Sequence, residues 1–186
     1  MRRYELFEII APLLEEALVI CNIGFPSQEL YNIGDSEKYF YMLGSMGLSS
    51  SIGLGVSLTT SKPVVSIDGD GSVLMNLGTL STLGNYAPKN YTLLIVDNGA
   101  YGSTGDQPTH TSGKTSLAAM AKGAGLESVY EVDIEGVKTR LPACLNSEGP
   151  HVIVVKVEPG SPKMSPVPLA PAVIRDRFRA VVAQSQ

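Results

Sequence analysis

The chain has 186 residues, of which 44% are hydrophobic and 17% charged, so it has enough apolar material for a globular domain with its own core. Fourteen basic and eighteen acidic side chains give a formal net charge of −4, and the few basic residues are scattered, which argues against a nucleic-acid partner or an anionic membrane surface. Cys21 and Cys144 form no CxxC motif, and no apolar run approaches the ~18 residues of a membrane-spanning helix, so we expect a cytoplasmic protein.

Four short apolar runs, rich in Val, Ile and Leu, do not alternate with polar residues, as is typical of parallel strands buried on both faces. They lie at 18–21, 64–67, 92–96 and 152–157. Segments with helical spacing separate them at 46–58, 73–83, 117–123 and 134–145. This alternation predicts an α/β fold, namely a doubly wound, mainly parallel sheet with helices on both faces.

Glycines punctuate the predicted helix at 46–58. Gly53 and Gly55 lower the stability of a helix, but they allow it to lie very close to a sheet or to a neighbouring chain. We therefore expect close packing at both positions.

The C-terminal part of the chain is rich in proline. Five prolines fall within residues 159–171, and helical periodicity resumes at about 172–183. This pattern predicts an extended strap followed by a helix, whose apolar Val173, Phe178 and Val181 must dock on this domain or on a partner. We expect residues 1–186 to form a single domain.

Two polar residues follow neighbouring apolar runs. Asp70 comes after the run at 64–67, Asn98 comes after the run at 92–96, and the 25 residues 72–96 between the two motifs accommodate one helix and one strand. If the two strands are neighbours, their carboxyl ends lie about 5 Å apart at the edge where α/β sheets bind ligands. A carboxylate and an amide oxygen are ligands typical of Mg²⁺, which takes its other ligands from water and phosphates, so this pattern predicts a metal-bridged diphosphate. The backbone amides of Gly71 and Ser72 would donate to the same phosphates.

Each motif alone is weak, because Asp-Gly or Asn-Gly after a strand is most often only a turn. The combination GDG-x25-DN, with its spacing, resembles the signature of thiamine diphosphate-dependent enzymes. The resemblance implies the thiamine diphosphate-binding fold, with Mg²⁺ held by the side chains of Asp70 and Asn98 and by the backbone carbonyl of Ala100. This signature commonly ends in two Asn residues, and Asp97 stands in place of the first of them.

The segment at 41–47, YMLGSMG, is similar to the part of that family which holds the aminopyrimidine ring of the cofactor. The resemblance implies that the Gly44 carbonyl and the Met46 amide contact this ring and that the Met46 side chain forces the two rings of the cofactor into a V. The full set of cofactor-binding residues implied here is Gly44, Ser45, Met46, Gly69, Asp70, Gly71, Ser72, Asn98, Tyr101 and Gly102.

Larger members of the family have a second domain whose Glu activates the cofactor, and this chain matches only the diphosphate-binding half. The resemblance therefore implies a partner, an alpha subunit that carries the pyrimidine-binding domain and supplies the activating Glu.

The loop YGSTGDQPTHT at 101–111 should lie at the ligand edge and contains one of the two histidines. His110 and Lys114 are candidate cationic contacts for a small anionic 2-oxo acid, and His110 is also a candidate catalytic proton carrier. His151, at the start of a predicted strand, is expected to be structural.

Together with NIGFPSQELY at 22–31 and FYMLGSMGLSSSIGLG at 40–55, these motifs resemble the decarboxylases of sulfopyruvate and phosphonopyruvate over nearly the whole chain. The resemblance implies decarboxylation of 3-sulfopyruvate to sulfoacetaldehyde and carbon dioxide in coenzyme M biosynthesis. A phosphonopyruvate decarboxylase subunit and a non-catalytic cofactor-binding module are the alternatives. A ferredoxin-linked 2-oxo acid oxidoreductase subunit is disfavoured, because two distant cysteines do not hold an iron–sulfur cluster.

Overall fold

A six-stranded sheet forms the centre of the computed structural model, which describes residues 1–184. Residues 185 and 186 of the predicted domain lie outside the described residues. All neighbouring strands of this sheet are parallel, in the order β2-β1-β3-β4-β8-β7, and β5 and β6 form a small separate antiparallel pair. The strands are β1 (Leu18–Cys21), β2 (Tyr39–Tyr41), β3 (Val64–Gly69), β4 (Tyr91–Asp97), β5 (Ala100–Tyr101), β6 (Gln107–Pro108), β7 (Ser128–Val132) and β8 (His151–Lys156).

Helices cover both faces of the sheet, as predicted. The α-helices are α1 (Arg3–Ile10), α2 (Phe25–Ile33), α3 (Ser49–Ser57), α4 (Asp70–Met75), α5 (Gly78–Tyr86), α6 (Leu117–Gly123), α7 (Ile134–Leu145) and α8 (Pro171–Ala183). Short 3-10 helices lie at Ala11–Leu14, Gly102–Thr104 and His110–Ser112. Within the described part of the chain, no helix is both long and apolar enough to cross a membrane.

Side chains along each strand alternate between two cores. In β1, Val19 and Cys21 pack with α1, α2 and α7, whereas Leu18 and Ile20 pack with the helices of the opposite face, α3 to α6. Because strands buried on both faces need apolar residues at every position, the four central strands coincide with the four apolar runs in the sequence.

Two predicted helices have different bounds in the structure. The helix expected at 46–58 begins at Ser49, because Ser45 and Gly47 have φ values of 61° and 93°, which a right-handed helix excludes. The helix expected at 73–83 is two helices, α4 and α5, that are separated at Asn76, whose φ of −143° and ψ of 54° are not helical. The first of these begins at Asp70 rather than at Val73.

The chain order of the strands creates a crevice at one edge of the sheet. From β1 the chain crosses to β2 on one side, and the next strand, β3, lies on the other side of β1. In open parallel sheets, ligands bind at the carboxyl ends of the strands where this reversal occurs. The predicted pairing of the next two strands is confirmed, since Gly69 at the end of β3 is in register with Val96 near the end of β4.

The C-terminal segment, which follows β8, reaches the side of the sheet where the edge strand β2 lies. Residues 159–170 have no helix or strand, and α8 then packs on β2 through Phe178, whose ring lies 5.5 Å from that of Phe40. Ile174 of the same helix is buried, but Val173 is 49% exposed, so Val173 does not dock on this domain and its docking on a partner stays a prediction. The helical turn places Val173 beside the buried face rather than on it.

Candidate active site

A pocket opens at the carboxyl edge of the sheet, at the crevice between β1 and β3. Three stretches of chain form most of its wall: the start of α2, the β3–α4 junction, and the segment that follows β4. The lining residues of these three stretches are Asn22, Ile23, Phe25 and Pro26, then Ile67 to Ser72, then Val96, Asn98 and Ala100 to Thr104. Arg3 and Met46 complete the wall.

Asp70 is the first residue of α4 and only 2% of it is exposed. The loop after β6 folds back on it, so that the Thr109 hydroxyl donates to Asp70 Oδ2 at 2.5 Å and Thr111 Oγ1 lies 2.9 Å from the same oxygen. Burial raises the pKa of Asp70 above its usual range, although the two hydroxyls act in the opposite direction. An Asp in this environment gains from a nearby cation, which stabilises its charged form.

Asp97 extends this polar cluster to the protein surface. Its Oδ1 lies 2.8 Å from Thr111 Oγ1, and its Oδ2 accepts a bond of 2.5 Å from the ammonium group of Lys156, which is about half exposed. Asp97 itself is 2% exposed. The extra carboxylate that distinguishes DN from the common ending is therefore paired with Lys156.

The oxygen cluster around Asp70 fits a bound cation. Thr109 and Thr111 have two hydroxyl protons for four oxygen–oxygen contacts of 2.5 to 2.9 Å with each other, with Asp70 and with Asp97. Some of these oxygens therefore face each other with no proton between them, and a cation beside Asp70 would offset their negative charge. Asn98 and Ala100 line the same pocket as Asp70, so the available donors are oxygens, as Mg²⁺ requires.

The protein alone provides few charged ligands. Among residues 1–184, no group of three or more His, Cys, Asp or Glu side chains could hold a metal ion.

The structure brings most of the predicted cofactor-binding residues to this one pocket. Met46, Gly69, Asp70, Gly71, Ser72, Asn98, Tyr101 and Gly102 all line it. Gly71 has a specific steric role, because a Cβ there would lie 2.3 Å from the Tyr101 ring. Gly44 and Ser45 line a separate depression next to α8.

The loop that carries Gly44, Ser45 and Met46 is tied to the pocket. The Gly47 amide donates to Ser72 Oγ at 2.9 Å, and Asn76 Nδ2 donates to the Gly47 carbonyl at 3.0 Å. With a φ of 93°, Gly47 adopts a conformation that other residues rarely adopt. These bonds fix the loop, and with it Met46, against α4.

His110 and Lys114 do not line the pocket. Both side chains are exposed, whereas Thr109 and Thr111, which flank His110, are 3% and 7% exposed and contact Asp70. His151 lies at the amino end of its strand, where Nε2 is 3.1 Å from Ser147 Oγ, in line with a structural role.

Several site residues were missed in the sequence. Asn22 Oδ1 accepts a 3.3 Å bond from Ser72 Oγ, and Asp68 lies 1% exposed in the wall, where burial raises its pKa to about 7. Asp68 Oδ2 has no hydrogen-bond partner among the described residues. Two features of the sequence could have indicated these residues. One is the carboxylate of Asp68 within an otherwise apolar strand, and the other is the Thr-x-Thr pattern around His110.

Comparisons with known proteins give the family. Residues 23–155 match the family model described as thiamine pyrophosphate enzyme, C-terminal TPP binding domain. The chain is 47% identical over 178 residues to the curated sulfopyruvate decarboxylase subunit beta of Methanocaldococcus jannaschii, and the match covers 96% of this chain and 95% of that protein. It is 40% identical over 181 residues to the phosphonopyruvate decarboxylase of Streptomyces viridochromogenes, of which it spans 44%.

The fold is also found in solved structures. A structure from Mycobacterium smegmatis, described as that of a thiamin diphosphate-dependent enzyme, superposes with a TM-score of 0.71 at 18% identity. The match covers 86% of this chain and about a third (32%) of the solved chain. The chain thus belongs to the thiamine pyrophosphate enzymes and, within them, to the family of the sulfopyruvate decarboxylase beta subunits.

Proposed function

We propose that this chain is the beta subunit of a thiamine diphosphate-dependent carboxy-lyase that converts 3-sulfopyruvate to sulfoacetaldehyde and carbon dioxide, a step of coenzyme M biosynthesis. The observation that carries the proposal is the convergence of Asp70, Asn98 and Ala100 on one pocket at the sheet edge. The near full-length similarity to curated beta subunits supports the same substrate.

In this proposal Asp70, Asn98 and the Ala100 carbonyl hold Mg²⁺, and the backbone amides of Gly71 and Ser72 donate to the diphosphate. Gly69 lies in the same wall of the pocket, and Tyr101 and Gly102 close the wall beside Gly71. When bound, thiamine diphosphate supplies the electron sink for decarboxylation of a 2-oxo acid. The residues of this chain bind and orient it.

We place the aminopyrimidine end of the cofactor at the loop of Gly44, Ser45 and Met46. The bonds from this loop to Ser72 and Asn76 support the placement, because they hold Met46 at the rim of the same pocket. Gly44 and Ser45, which face the neighbouring depression, would contact the ring through their backbone.

The proposed partner is an alpha subunit with the pyrimidine-binding domain and its activating Glu. Apolar side chains surround the site on this chain, where Leu43, Leu48 and Met75 are 53%, 41% and 61% exposed. A partner that covers them would exclude water from the pocket and would add its activating Glu to the site.

His110 and Lys114 remain proposed contacts for the anionic substrate at the subunit interface, and His110 a proposed proton carrier. Their exposure leaves them accessible to a substrate bound between the subunits. Changing either one to Ala should raise KM for sulfopyruvate without preventing cofactor binding, and unchanged kinetics would reject the assignment. The cytoplasmic location also stays a prediction.

The proposal is tested by carbon dioxide release with Mg²⁺ and thiamine diphosphate. Sulfopyruvate, phosphonopyruvate and pyruvate are supplied in turn to this chain alone and to the chain co-expressed with its partner subunit. We expect activity only in the pair, and the highest kcat/KM with sulfopyruvate.

The other outcomes distinguish the alternatives. Preference for phosphonopyruvate would support a phosphonopyruvate decarboxylase, the second candidate, which the similarity to the Streptomyces enzyme favours. Cofactor binding with no turnover of any 2-oxo acid would support a non-catalytic module instead.

A further inference from the structure

Arg3 is the cationic side chain in the wall of the pocket, among the described residues that line it. It comes from the first turn of α1, far in sequence from the motifs of the site, and is 7% exposed. A guanidinium group that is more than nine-tenths buried needs partners for its donors, and their identity shows what the residue can do.

Three of the five N–H groups of Arg3 have partners within the protein. Nε donates to Glu29 Oε2 at 2.8 Å, and Nη2 donates to Glu29 Oε1 at 2.8 Å and to Ser161 Oγ. Glu29 is completely buried, so this pair is bidentate and dry. Such a fork fixes the plane of the guanidinium group.

The two N–H groups of Nη1 have no acceptor among residues 1–184. Nη1 is not among the fully buried atoms that lack a hydrogen-bond partner. It therefore retains some exposure to solvent. Arg3 is one of the residues that line the pocket, and Nη1 is the nitrogen of its guanidinium group that has no partner among the described residues.

We propose that Arg3 Nη1 donates to a tetrahedral oxyanion bound in this pocket and that Glu29 and Ser161 hold it in position for this bond. The proposal rests on the proposed function, which supplies two such oxyanions, the terminal phosphate of the cofactor and the sulfonate of the substrate. Since Glu29 offsets the charge of Arg3, the contribution is a directed hydrogen bond rather than a free positive charge.

The test uses the chain assembled with its partner subunit and two variants of Arg3. Arg3→Lys keeps a positive charge beside Glu29 but cannot maintain both the fork and a donor to the pocket. Arg3→Met combined with Glu29→Gln removes both charges together, so that no unpaired carboxylate remains in the core. Arg2→Met and Lys122→Met are the controls, because each removes an exposed cation that does not line the pocket.

Three quantities are measured: the Kd of the Mg²⁺ complexes of pyrophosphate and thiamine diphosphate by calorimetry, KM for sulfopyruvate and for pyruvate, and the thermal midpoint. If the oxyanion is the phosphate, both Kd values rise about tenfold in the two Arg3 variants and stay within about twofold in the controls. If it is the sulfonate, the Kd values are unchanged and KM rises about tenfold for sulfopyruvate but not for pyruvate.

Folded Arg3 variants with unchanged Kd and KM values would overturn the inference and leave Arg3 a purely structural residue. A wild-type complex that binds neither pyrophosphate nor thiamine diphosphate would instead overturn the proposed function itself. The two failures are distinguishable, since the first appears only in the variants.

Discussion

Thr109 and Thr111 both contact the same oxygen of Asp70, Oδ2, and hold its carboxyl group in the wall of the pocket. Asp70 is also the only carboxylate among the three proposed metal ligands, since Asn98 and Ala100 contribute neutral oxygens. The affinity for Mg²⁺ should therefore depend on this residue most strongly.

Asp70→Ala should weaken Mg²⁺-dependent binding of thiamine diphosphate by more than roughly a hundredfold. Because burial disfavours the charged form of Asp70, we expect the variant to remain folded without metal. Calorimetric titration and thermal unfolding measure the two effects, and Asp106→Asn, at an exposed position between β5 and β6, is the control. Tight binding by Asp70→Ala would refute the metal assignment.

His151 makes a separate prediction about pH. Burial lowers the pKa of His151 below its ordinary value of 6.5, so the folded state takes up its proton at a lower pH than the unfolded state does. The free energy of unfolding should fall as the pH decreases from about 6.5 towards the lowered pKa. Urea unfolding at pH 7.5 and pH 5.5 should show a smaller decrease for His151→Gln than for the wild type; equal decreases would contradict the prediction.

The chemistry of the site was more predictable than the orientation of its loop residues. Asp70 and Asn98 follow neighbouring parallel strands, so strand pairing alone brings them together. The loop after β6 offers His110 as the obvious chemical group, but whether a loop side chain faces inward depends on tertiary contacts. In the structure it is Thr109 and Thr111 that face Asp70.

At the level of elements, α3 shows why its two glycines differ. A Cβ on Gly53 would lie 2.0 Å from Ser66 Oγ and 2.9 Å from the Tyr91 ring, whereas a Cβ on Gly55 would have no atom within 4 Å. Close packing against the sheet is confirmed for Gly53, whereas Gly55 is exposed and faces away from the sheet, so its packing against a neighbouring chain stays a prediction.

This difference gives a matched pair of variants. Gly53→Ala should lower the free energy of unfolding by about 1–3 kcal/mol, because α3 must move away from β3 and β4. Gly55→Ala should raise it by up to about 1 kcal/mol through the gain in helix propensity. Urea unfolding measures both, and equal effects at the two positions would show that α3 does not pack as described.

The sequence was most informative about elements in the centre of the sheet. The four central strands were predicted within one or two residues of their bounds, because burial on both faces requires continuous apolar runs. The edge strands β2 and β7 were missed, since β2 has only three residues and β7 has the polar sequence SVYEV. Helices α1 and α2 were also missed, although their amphipathic pattern is no weaker than that of the predicted helix α3.

On the scale of the whole molecule, α8 covers the edge strand β2. Phe178 is 6% exposed against Phe40, and Arg177 makes two bonds of 2.6 and 2.7 Å to Asp35 in the loop before β2. Covering an edge strand prevents its pairing with other chains. The strap and α8 therefore contribute to the stability of the sheet.

Phe178→Ala should lower the free energy of unfolding by about 3 kcal/mol, since it removes a buried aromatic ring. Val173→Ala, on the exposed side of the same helix, should change it by less than about 0.5 kcal/mol. Denaturant unfolding compares the two variants. A loss at Val173 as large as that at Phe178 would contradict the docking of α8 seen here.

In the proposed function, one pocket of this chain holds a metal-bound diphosphate. The most direct measurement is anomalous diffraction from crystals of the assembled complex with thiamine diphosphate and Mn²⁺ in place of Mg²⁺. We predict a single metal peak per beta subunit, at roughly 2.1 Å from oxygens of Asp70, Asn98 and Ala100. A bound cofactor whose metal lies away from these three residues, or is held by the partner subunit alone, would refute the assignment of Asp70, Asn98 and Ala100 as metal ligands.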